Sequence, residues 1–466
     1  MTGHPGAGAG AGAGRDDADR DRAGRSGRPP GPAHGPTAAA ATGPAVPAAP
    51  AAPAAGERRD GGEGGAGEGG GGGAFVRFPG RAHDERTAAL LGVALGVGFA
   101  VCFVTGVLSH LAQHPPGWLP WPTRPAGLYR VTQGTHVVTG FGLIPLTLAK
   151  LWVAYPRFFQ RPAVRSAGHA AQRAALLPLV GGALFLLVSG VLNVARWYPW
   201  SFFFPTTHYW ASWVTVGAVA VHVGITWAVA RRVLGRHRRP PALLVPDGPG
   251  AAADAGPDRP GGPVEPIAPG ERRAFLAAVA GTAALVALGA AGGTVPGTSA
   301  LSAFAQRRPH QGPQGVPINK TAVGAGVEEA ATDAAWRLEV TGAVDRPLSL
   351  SRADLRTMRR HEAELPIACV EGWSTSARWG GVRVADVLAA AGARPDAAVT
   401  VESLQEGGRY RASDLDAAQA RDRDTLLALD LNGSELHIDH GFPVRLIGPN
   451  RPGVLQTKWL ARLVVR

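Results

Sequence analysis

The sequence predicts a multi-domain protein, in which an all-α transmembrane bundle of four helices plus a fifth anchor helix is followed by an α+β domain with a mixed sheet. The first observation is four long, nearly uncharged apolar stretches, near 89–110, 131–154, 174–195 and 207–230. Each exceeds the about 20 residues that an α-helix needs to cross a bilayer. The second is a change after residue 336 to short strand-like runs such as WRLEVTGAV and AAVTVESL, separated by turns that contain Gly or Pro.

The segments around these domains have the composition of chains without a core. Residues 1–74 consist mainly of Gly, Ala, Pro and Arg. Such a segment cannot bury enough apolar surface to offset the entropy of ordering, so we expect a disordered cytoplasmic tail. The four-helix domain is placed at 75–231. Pro-, Ala- and Gly-rich linkers are predicted at 232–270, on the cytoplasmic side, and at 294–335, on the outer side.

The arginines predict which side of the membrane each loop occupies. Fourteen lie in the N-terminal flank, in the loop between the second and third spans and between the fourth and fifth spans, against three in the alternate loops. Basic residues favour the cytoplasmic side. We therefore expect a multi-pass protein of the plasma membrane with its N-terminus in the cytoplasm and its C-terminal domain outside. This arrangement accounts for the net charge of +12, so no nucleic-acid partner is expected.

The fifth span, predicted at 271–293, begins with the string ERRAFL (271–276). This string resembles a twin-arginine export signal and implies the twin-arginine export machinery as a partner. The alternative is an ordinary anchor with two basic residues on its inner side. Ala303-Phe304-Ala305 has the form of a cleavage site but lies some ten residues beyond the apolar stretch, so we expect the anchor to be retained.

Histidines lie in or at the ends of the predicted spans, among them His136, His208 and His222. Ionisable groups at membrane depth indicate functional sites. His208 and His222 are 14 residues apart, which places them on one face of one helix. This geometry suits axial ligands of a b-type haem. The distances of the histidines from the outer ends of their predicted spans favour His136 and His208 as the iron ligands of one outer haem, with His222 as a replacement for His208. The alternative is interfacial or helix-pairing histidines without haem.

The bundle is similar to the four-helix b-type cytochrome subunits of membrane oxidoreductases. The similarity rests on GTHVV (134–138), THYW (207–210) and VHVG (221–224). It implies electron exchange with the quinone pool.

The chain has two cysteines, which exclude a disulfide framework. Cys102 lies inside the first predicted span. Cys369 follows the apolar run LPIA (365–368) and precedes VEGWS, which indicates the end of a strand. From the residues alone, Cys369 is a buried inert thiol, a nucleophile or a soft metal ligand.

Five motifs in the C-terminal domain, placed at 336–466, resemble the molybdopterin-binding domain of the sulfite oxidase family, whose bacterial branch includes the methionine-sulfoxide reductase catalytic subunit. The motifs are LEVTGAVDRPLSL (338–350), LPIACVEGWS (365–374), WGGVRVADVL (379–388), DHGFPVRLIGPNRPG (439–453) and TKWL (457–460). The resemblance implies that Cys369 binds molybdenum together with the pterin. It also implies that Arg451 and Lys458 bind the pterin phosphate.

Four further residues are candidates by the same resemblance. Arg378 is expected to face the metal pocket, Arg445 to bind the cofactor or pair with a core carboxylate, and His440 to hydrogen-bond the pterin or substrate. The sequence has one tyrosine after residue 300, Tyr410, which is the candidate for the tyrosine that sulfite oxidases place near molybdenum. Because the sequence ends at Arg466, we do not expect their dimerisation domain.

These features predict a membrane-bound molybdopterin-dependent oxidoreductase. It would transfer an oxygen atom to or from a small-molecule oxo-substrate on the outer face and exchange electrons with the quinone pool through b-type haem. One alternative is a sulfite-oxidase-like dehydrogenase of a small anion. Another is a non-catalytic membrane protein for electron transfer or quinone binding, with an outer domain that holds no cofactor.

Overall fold

The computed structural model describes residues 84–158, 164, 166–235 and 268–466. The tail predicted at 1–74 lies outside these residues, as do residues 236–267 of the predicted cytoplasmic linker.

Five long helices precede the C-terminal domain. They are α1 (Glu85–Gln113), α2 (Leu128–Phe158), α3 (Ala167–Val194), α4 (Phe204–Leu234) and α5 (Pro269–Ala291). All five are long and apolar enough to cross a membrane. Between 6% and 28% of the most apolar stretch of each helix is buried inside the protein. The apolar side chains therefore face mainly outward, which is consistent with helices solvated by lipid.

The first and fifth helices begin at the same end of the bundle. Asp84 caps the N-terminus of α1 by accepting a hydrogen bond from the backbone N–H of Thr87. The other carboxylate oxygen of Asp84 lies 3.0 Å from Nε of Arg272, in the first turns of α5. The two helices therefore start side by side, and the arginine of the ERRAFL string is held by an ion pair.

The C-terminal domain contains two five-stranded sheets. The first has the order β2-β1-β10-β5-β6, and the second has the order β3-β4-β7-β8 with β9 paired to β7. The strands are β1 (Leu338–Gly342), β2 (Leu348–Leu350), β3 (Arg360–Ala368), β4 (Ser374–Arg383), β5 (Val399–Ser403), β6 (Ala412–Leu415), β7 (Leu426–Leu431), β8 (Ser434–Glu435), β9 (Arg445–Ile447) and β10 (Leu460–Val465). Because β1 and β10 are parallel and the other pairs antiparallel, the first sheet is mixed, as predicted.

Short helices connect the strands and cover the sheets. They are α6 (Ala322–Ala325), α7 (Glu328–Thr332), α8 (Arg352–Thr357), α9 (Val384–Ala390) and α10 (Ala417–Arg421). The larger core lies under the first sheet and includes Leu338, Val399 and Leu463, which are fully buried. A second core surrounds Trp379 and contains Cys369. The second sheet therefore positions the cysteine that the sequence singles out.

The segment 294–335, predicted as a linker, packs against the domain over much of its length. Val316, Ala322, Val327 and Ala331 are buried, and the last three pack around Trp459. Its small apolar residues are too widely spaced to produce a periodic signal, so the sequence alone did not indicate this packing. The described residues belong to one compact unit that spans 75–466, so bundle and domain are packed together.

Candidate functional site

Cys369 lies in the turn that joins β3 to β4. Its backbone N–H donates to the carbonyl of Trp373 (2.9 Å), and its own carbonyl accepts from Gly372 (3.1 Å). Gly372 has φ = +84°, a conformation that favours glycine. The side chain of Cys369 is 2% exposed. Burial, with a further contribution from the charge of Glu371, raises the pKa of the thiol to about 12.

A thiol with this pKa is protonated in the protein alone, which disfavours a free nucleophilic thiolate. A bound metal cation ionises such a thiol. Among the residues that the structure describes, no three His, Cys, Asp or Glu side chains come together as a metal site. A metal ion bound at Cys369 would therefore have fewer than three protein ligands of these types and would take the others from a cofactor.

Three basic residues are buried together around Gly441. An added Cβ on this glycine would lie 3.1 Å from the Cβ atoms of both Arg445 and Lys458. Arg445 donates through Nη1 to the carbonyl of His440 (3.1 Å), and its guanidinium lies 5.2 Å from the ring centre of Trp379. Lys458 donates through Nζ to backbone carbonyls of Lys320 (2.8 Å) and Asp439 (2.7 Å). We call His440, Arg445 and Lys458 the basic cluster.

Neither Arg445 nor Lys458 forms an ion pair in the described part of the chain, and the charge of Asp439 raises the pKa of Lys458 by less than burial lowers it. Burial lowers the pKa of Arg445 to about 9 and lowers the pKa of Lys458 well below its ordinary value. Unpaired buried cations are costly, and an anion beside them offsets that cost.

His440 completes the cluster as a neutral acceptor. Burial, helped by the charge of Arg445, lowers its pKa to about 3. Its Nε2 lies 2.7 Å from the carbonyl of Pro313, so Nε2 carries the proton and Nδ1 is an acceptor. This Nδ1 is buried without a partner, as is Nε of Arg445. The orphaned atoms fit a cofactor that both donates and accepts hydrogen bonds and carries negative charge.

A cavity of about 450 Å³ lies beside the cluster, within the range of about 300–1,000 Å³ typical of ligand pockets. Its cationic lining residues are Arg196, Arg307 and Lys320. Arg307 forms an ion pair with Glu371, and Arg196 lies 3.7 Å from the same carboxylate. Two of its lining residues contact these regions, since the backbone carbonyl of Lys320 accepts from Lys458 and Arg307 pairs with Glu371, but neither Cys369 nor the basic cluster lines the cavity itself.

Sequence reasoning missed these cationic lining residues. Lys320 is one of three lysines in the chain, which was an available signal. Arg196 has φ = +55°, which no sequence pattern indicated.

The structure does not bring Arg378 to Cys369. Arg378 is exposed on β4 and pairs in register with Glu364, whereas Cys369 follows the pair Ala368–Ser374 at the far end of the hairpin. Four residues along a strand correspond to about 13 Å. Arg378 follows the buried Ala377 and precedes the buried Trp379, so alternation along the strand turns it outward.

Arg451 is buried but is engaged by protein acceptors. Its Nη1 donates to Gln419 (2.7 Å), and its Nη2 donates to backbone carbonyls of Asp414 (3.1 Å) and Leu455 (3.0 Å). Only Nε lacks a partner. These hydrogen bonds give Arg451 a role in fixing the 448–455 loop, and its anion-binding role stays a prediction.

Tyr410 lies near Cys369. Burial raises the pKa of Tyr410, Arg409 lowers it, and Cys369 raises it further. The hydroxyl of Tyr410 is buried without a partner. Tyr198, in the loop between α3 and α4, is also close: burial, then Glu371 and Cys369, raise its pKa.

The helical bundle contains a second cavity, of about 170 Å³, between α1, α2, α3 and α4. His136 and His208 both line it, and their ring centres are 6.1 Å apart. Nδ1 of His136 lies 2.9 Å from the carbonyl of Cys102, and Nδ1 of His208 lies 3.1 Å from the hydroxyl of Ser189. These contacts leave Nε2 as the remaining nitrogen of each ring.

Two further histidines of the bundle are placed differently. His222 does not line this cavity. His110 does line it, and its ring stacks on Tyr209 at a centroid distance of 3.7 Å. The structure therefore brings His136 and His208 together and leaves His222 apart.

Comparisons with known proteins concern the C-terminal region. Residues 325–466 match the family model of the oxidoreductase molybdopterin binding domain. The mitochondrial sulfite oxidase of Rattus norvegicus is 39% identical over 158 residues, which cover 28% of this chain and 29% of that protein. The uncharacterized oxidoreductase YuiH of Bacillus subtilis (strain 168) is 35% identical over 126 residues, which cover 27% of this chain and 62% of that protein.

A solved structure also resembles part of the chain. The sulfane dehydrogenase SoxCD from Paracoccus pantotrophus is 22% identical, with a TM-score of 0.28 over 34% of this chain and 46% of that one. A TM-score this low does not support an argument on fold. The chain spans less than a third of the length of the rat sulfite oxidase that it matches, and the family match does not include α1–α5.

Proposed function

We propose that this chain, whose C-terminal region is a molybdopterin-binding domain of sulfite oxidase type, is a membrane-bound oxidoreductase that transfers an oxygen atom to or from a small-molecule substrate. Electrons would pass between this centre and the quinone pool through a b-type haem in the bundle. The observation that carries the proposal is the buried Cys369 beside Arg445 and Lys458, two buried cations that form no ion pair among the described residues.

The protein supplies ligation, charge and hydrogen bonds. Cys369 is the protein ligand of molybdenum. Lys458 and Arg445 offset the negative charge of the cofactor, and neutral His440 accepts a hydrogen bond through Nδ1. Arg307, which pairs with Glu371, and Lys320, which donates to Gln405, line the neighbouring cavity and add positive charge beside the site. When bound, molybdenum accepts or donates an oxygen atom and cycles between two oxidation states.

A b-type haem fits between His136 and His208. Their ring centres are 6.1 Å apart, so both imidazoles would be available to hold one haem iron. Nδ1 of His136 donates to the carbonyl of Cys102, which leaves Nε2 of that ring for the iron, and Nδ1 of His208 is hydrogen-bonded to the hydroxyl of Ser189. Gly106 provides room, since a Cβ there would lie 3.0 Å from the ring of His136. The cavity adjoining the two rings is mainly apolar.

The orientation that we propose puts the N-terminus in the cytoplasm and the C-terminal domain outside, in the plasma membrane. The side-by-side start of α1 and α5 supports it. Four crossings separate the start of α1 from the start of α5, so both helices run in the same direction across the membrane. The arginine asymmetry of the loops supplies the direction. The lipid bilayer and the twin-arginine export machinery are the corresponding partners.

Oxidation of sulfite or a related small anion is a second candidate. The cationic wall of the 450 Å³ cavity favours it, as does the similarity to proteins named sulfite oxidase. Turnover with reduced viologen and a sulfoxide, compared with turnover of sulfite and ferricyanide, separates reduction from oxidation.

The test of the proposal is metal analysis of the detergent-solubilised protein, isolated from cells that make the pterin. We expect stoichiometric molybdenum in the unmodified chain and its loss in Cys369→Ser, with unchanged far-ultraviolet circular dichroism. Molybdenum-free native protein would refute the enzymatic function and favour a non-catalytic electron carrier.

A further inference from the structure

The turn that carries Cys369 forms part of the wall of the bundle cavity. Val370, the next residue, lines the cavity that contains His136 and His208. Its carbonyl accepts a hydrogen bond from Nδ2 of Asn193 at 2.8 Å. Asn193 is 5% exposed and lines the same cavity. One covalently bonded residue and one hydrogen bond therefore connect the molybdenum ligand to the space between the two histidines.

The orientation of the Asn193 amide is fixed from both sides. The hydroxyl of Tyr198 donates to Oδ1 of Asn193 at 3.0 Å, while Nδ2 donates to Val370. An amide that accepts from a hydroxyl and donates to a carbonyl has one favourable orientation. Gln133 also approaches the carbonyl of Val370, at the longer distance of 3.5 Å.

The rest of the turn is fixed to the bundle as well. A Cβ on Gly372 would lie 3.2 Å from Val137 and 3.3 Å from Val194, so the backbone packs closely on α2 and α3. Ser374 donates through its N–H to Gly293 (2.8 Å) and through its hydroxyl to Thr294 (2.9 Å), both just after α5.

A second contact, distant in sequence from the turn, supports permanent docking. Asn450 is 2% exposed and makes three hydrogen bonds to the connection between α1 and α2. Its backbone N–H donates to Ala126 (3.0 Å), its Oδ1 accepts from the N–H of Tyr129 (2.7 Å) and its Nδ2 donates to Pro122 (2.6 Å). A buried side chain with all its groups paired across a contact indicates a fixed arrangement rather than a transient one.

We infer that the hydrogen-bonded pair of Val370 and Asn193 is the electron-coupling contact between the two redox centres, and that electrons cross from bundle to domain through this pair without any domain movement. This inference rests on the proposed function. In the reductive direction each crossing oxidises one ferrous haem to ferric and adds one electron to the molybdenum centre. Two crossings, supplied by one quinol, provide the two electrons that, with two protons, convert an oxidised substrate to its parent compound and water.

The hydrogen bond matters because the rate of electron tunnelling falls steeply with each ångström of distance between two atoms that are not covalently bonded. Asn193→Leu keeps the volume of the side chain but replaces a 2.8 Å hydrogen bond by van der Waals contact at about 3.5–4.0 Å. The gap grows by about 1 Å, so we expect electron transfer to be slower in this variant than in the wild type.

The experiment measures the reoxidation of pre-reduced haem by substrate in a single turnover, followed by haem absorbance. Arg130→Met is the matched control, because Arg130 also bridges bundle and domain, to Ser376 at 2.9 Å, without touching the turn. We expect Asn193→Leu to slow reoxidation while haem content, molybdenum content and haem reduction potential stay at wild-type values. Arg130→Met should reoxidise at the wild-type rate.

Wild-type reoxidation in a fully loaded Asn193→Leu protein would overturn the inference, as would equal slowing in Arg130→Met. If Asn193→Leu fails to fold, Tyr198→Phe removes only the bond that orients the amide and should give a smaller slowing, whereas an unchanged rate would count against the inference. Wild-type protein that lacks haem or molybdenum would instead refute the proposed function, and metal analysis before the kinetics distinguishes the two failures.

Discussion

Nζ of Lys458 donates a hydrogen bond to the backbone carbonyl of Lys320 at 2.8 Å. This bond holds the residues just before β10 against the segment that precedes the two sheets. Two of the three lysines in the chain thus meet at the edge of the cationic cavity. Lys320 therefore contributes to the site from a segment that lies before residue 325, where the family match begins.

Lys458→Met should lower cofactor retention. The lysine supplies a buried positive charge, and a hydrogen bond to a charged group contributes about 1.5–3 kcal/mol, so we expect roughly 10- to 100-fold weaker retention of the anionic cofactor. Molybdenum content after dialysis measures the effect. Arg394→Met, at an exposed ion pair with Asp396, is the control and should keep full content. Equal molybdenum in both variants would contradict the role of Lys458.

His440 should make the stability of the cofactor-free protein fall on acidification. Its pKa is about 3 in the folded state and about 6.5 in an unfolded chain. Between these values the unfolded state binds the proton and the folded state does not, so the free energy of unfolding rises with pH from about 3 to 6.5 and levels off above that range.

From pH 6.5 to pH 4.5 the expected loss from this residue is on the order of 2–3 kcal/mol. Thermal unfolding midpoints at a series of pH values measure it. His440→Gln keeps a donor for Pro313 and should flatten the curve. If the unfolding midpoint of His440→Gln depended on pH as steeply as that of the wild type, other groups would determine the pH dependence of stability.

Haem binding should depend on His136 and His208 and not on His222. Removal of either axial ligand should abolish the reduced-minus-oxidised spectrum of a bis-imidazole haem, because low-spin iron needs both. His222→Ala is the matched control, since His222 lies on α4 with His208 but outside the cavity. An unchanged spectrum in His136→Ala, or a lost spectrum in His222→Ala, would overturn the pairing.

The arginine pair before α5 can be tested by conservative replacement. The double variant Arg272→Lys, Arg273→Lys keeps both positive charges and keeps a cation opposite Asp84. An ordinary anchor would insert unchanged, whereas a twin-arginine signal should fail, leaving the C-terminal domain inside. Protease accessibility of the domain in intact spheroplasts measures the outcome, with Arg231→Lys, Arg232→Lys at the end of α4 as control. Wild-type accessibility in the double variant would exclude the export signal.

The sequence predicted the elements whose signals are local. Each of the five helices was found because its apolar stretch exceeds the bilayer thickness, although α3 begins at Ala167, seven residues before its predicted start. Cys369 was expected at a strand end and lies in the β3–β4 turn. His136 and His208 were paired by depth, which helical geometry alone provides.

Contacts between distant segments could not be predicted in this way. No local pattern singled out Asn193 or Asn450, and both hold the bundle to the domain. Arg451 was expected to bind an anion because the family motif falls on it, but the direction of its guanidinium depends on where Gln419 lies. Arg378 was expected to face the metal pocket, but alternation along β4 turns it outward.

The hydrogen bonds of Val370 and Asn450 make the C-terminal domain depend on the bundle. Their partners, Asn193 and Pro122, lie more than 170 residues earlier in the chain. A C-terminal domain expressed without the helices would leave the carbonyl of Val370 and the amide of Asn450 without these partners. Separation of the two parts would therefore expose polar groups next to Cys369 that the bundle satisfies.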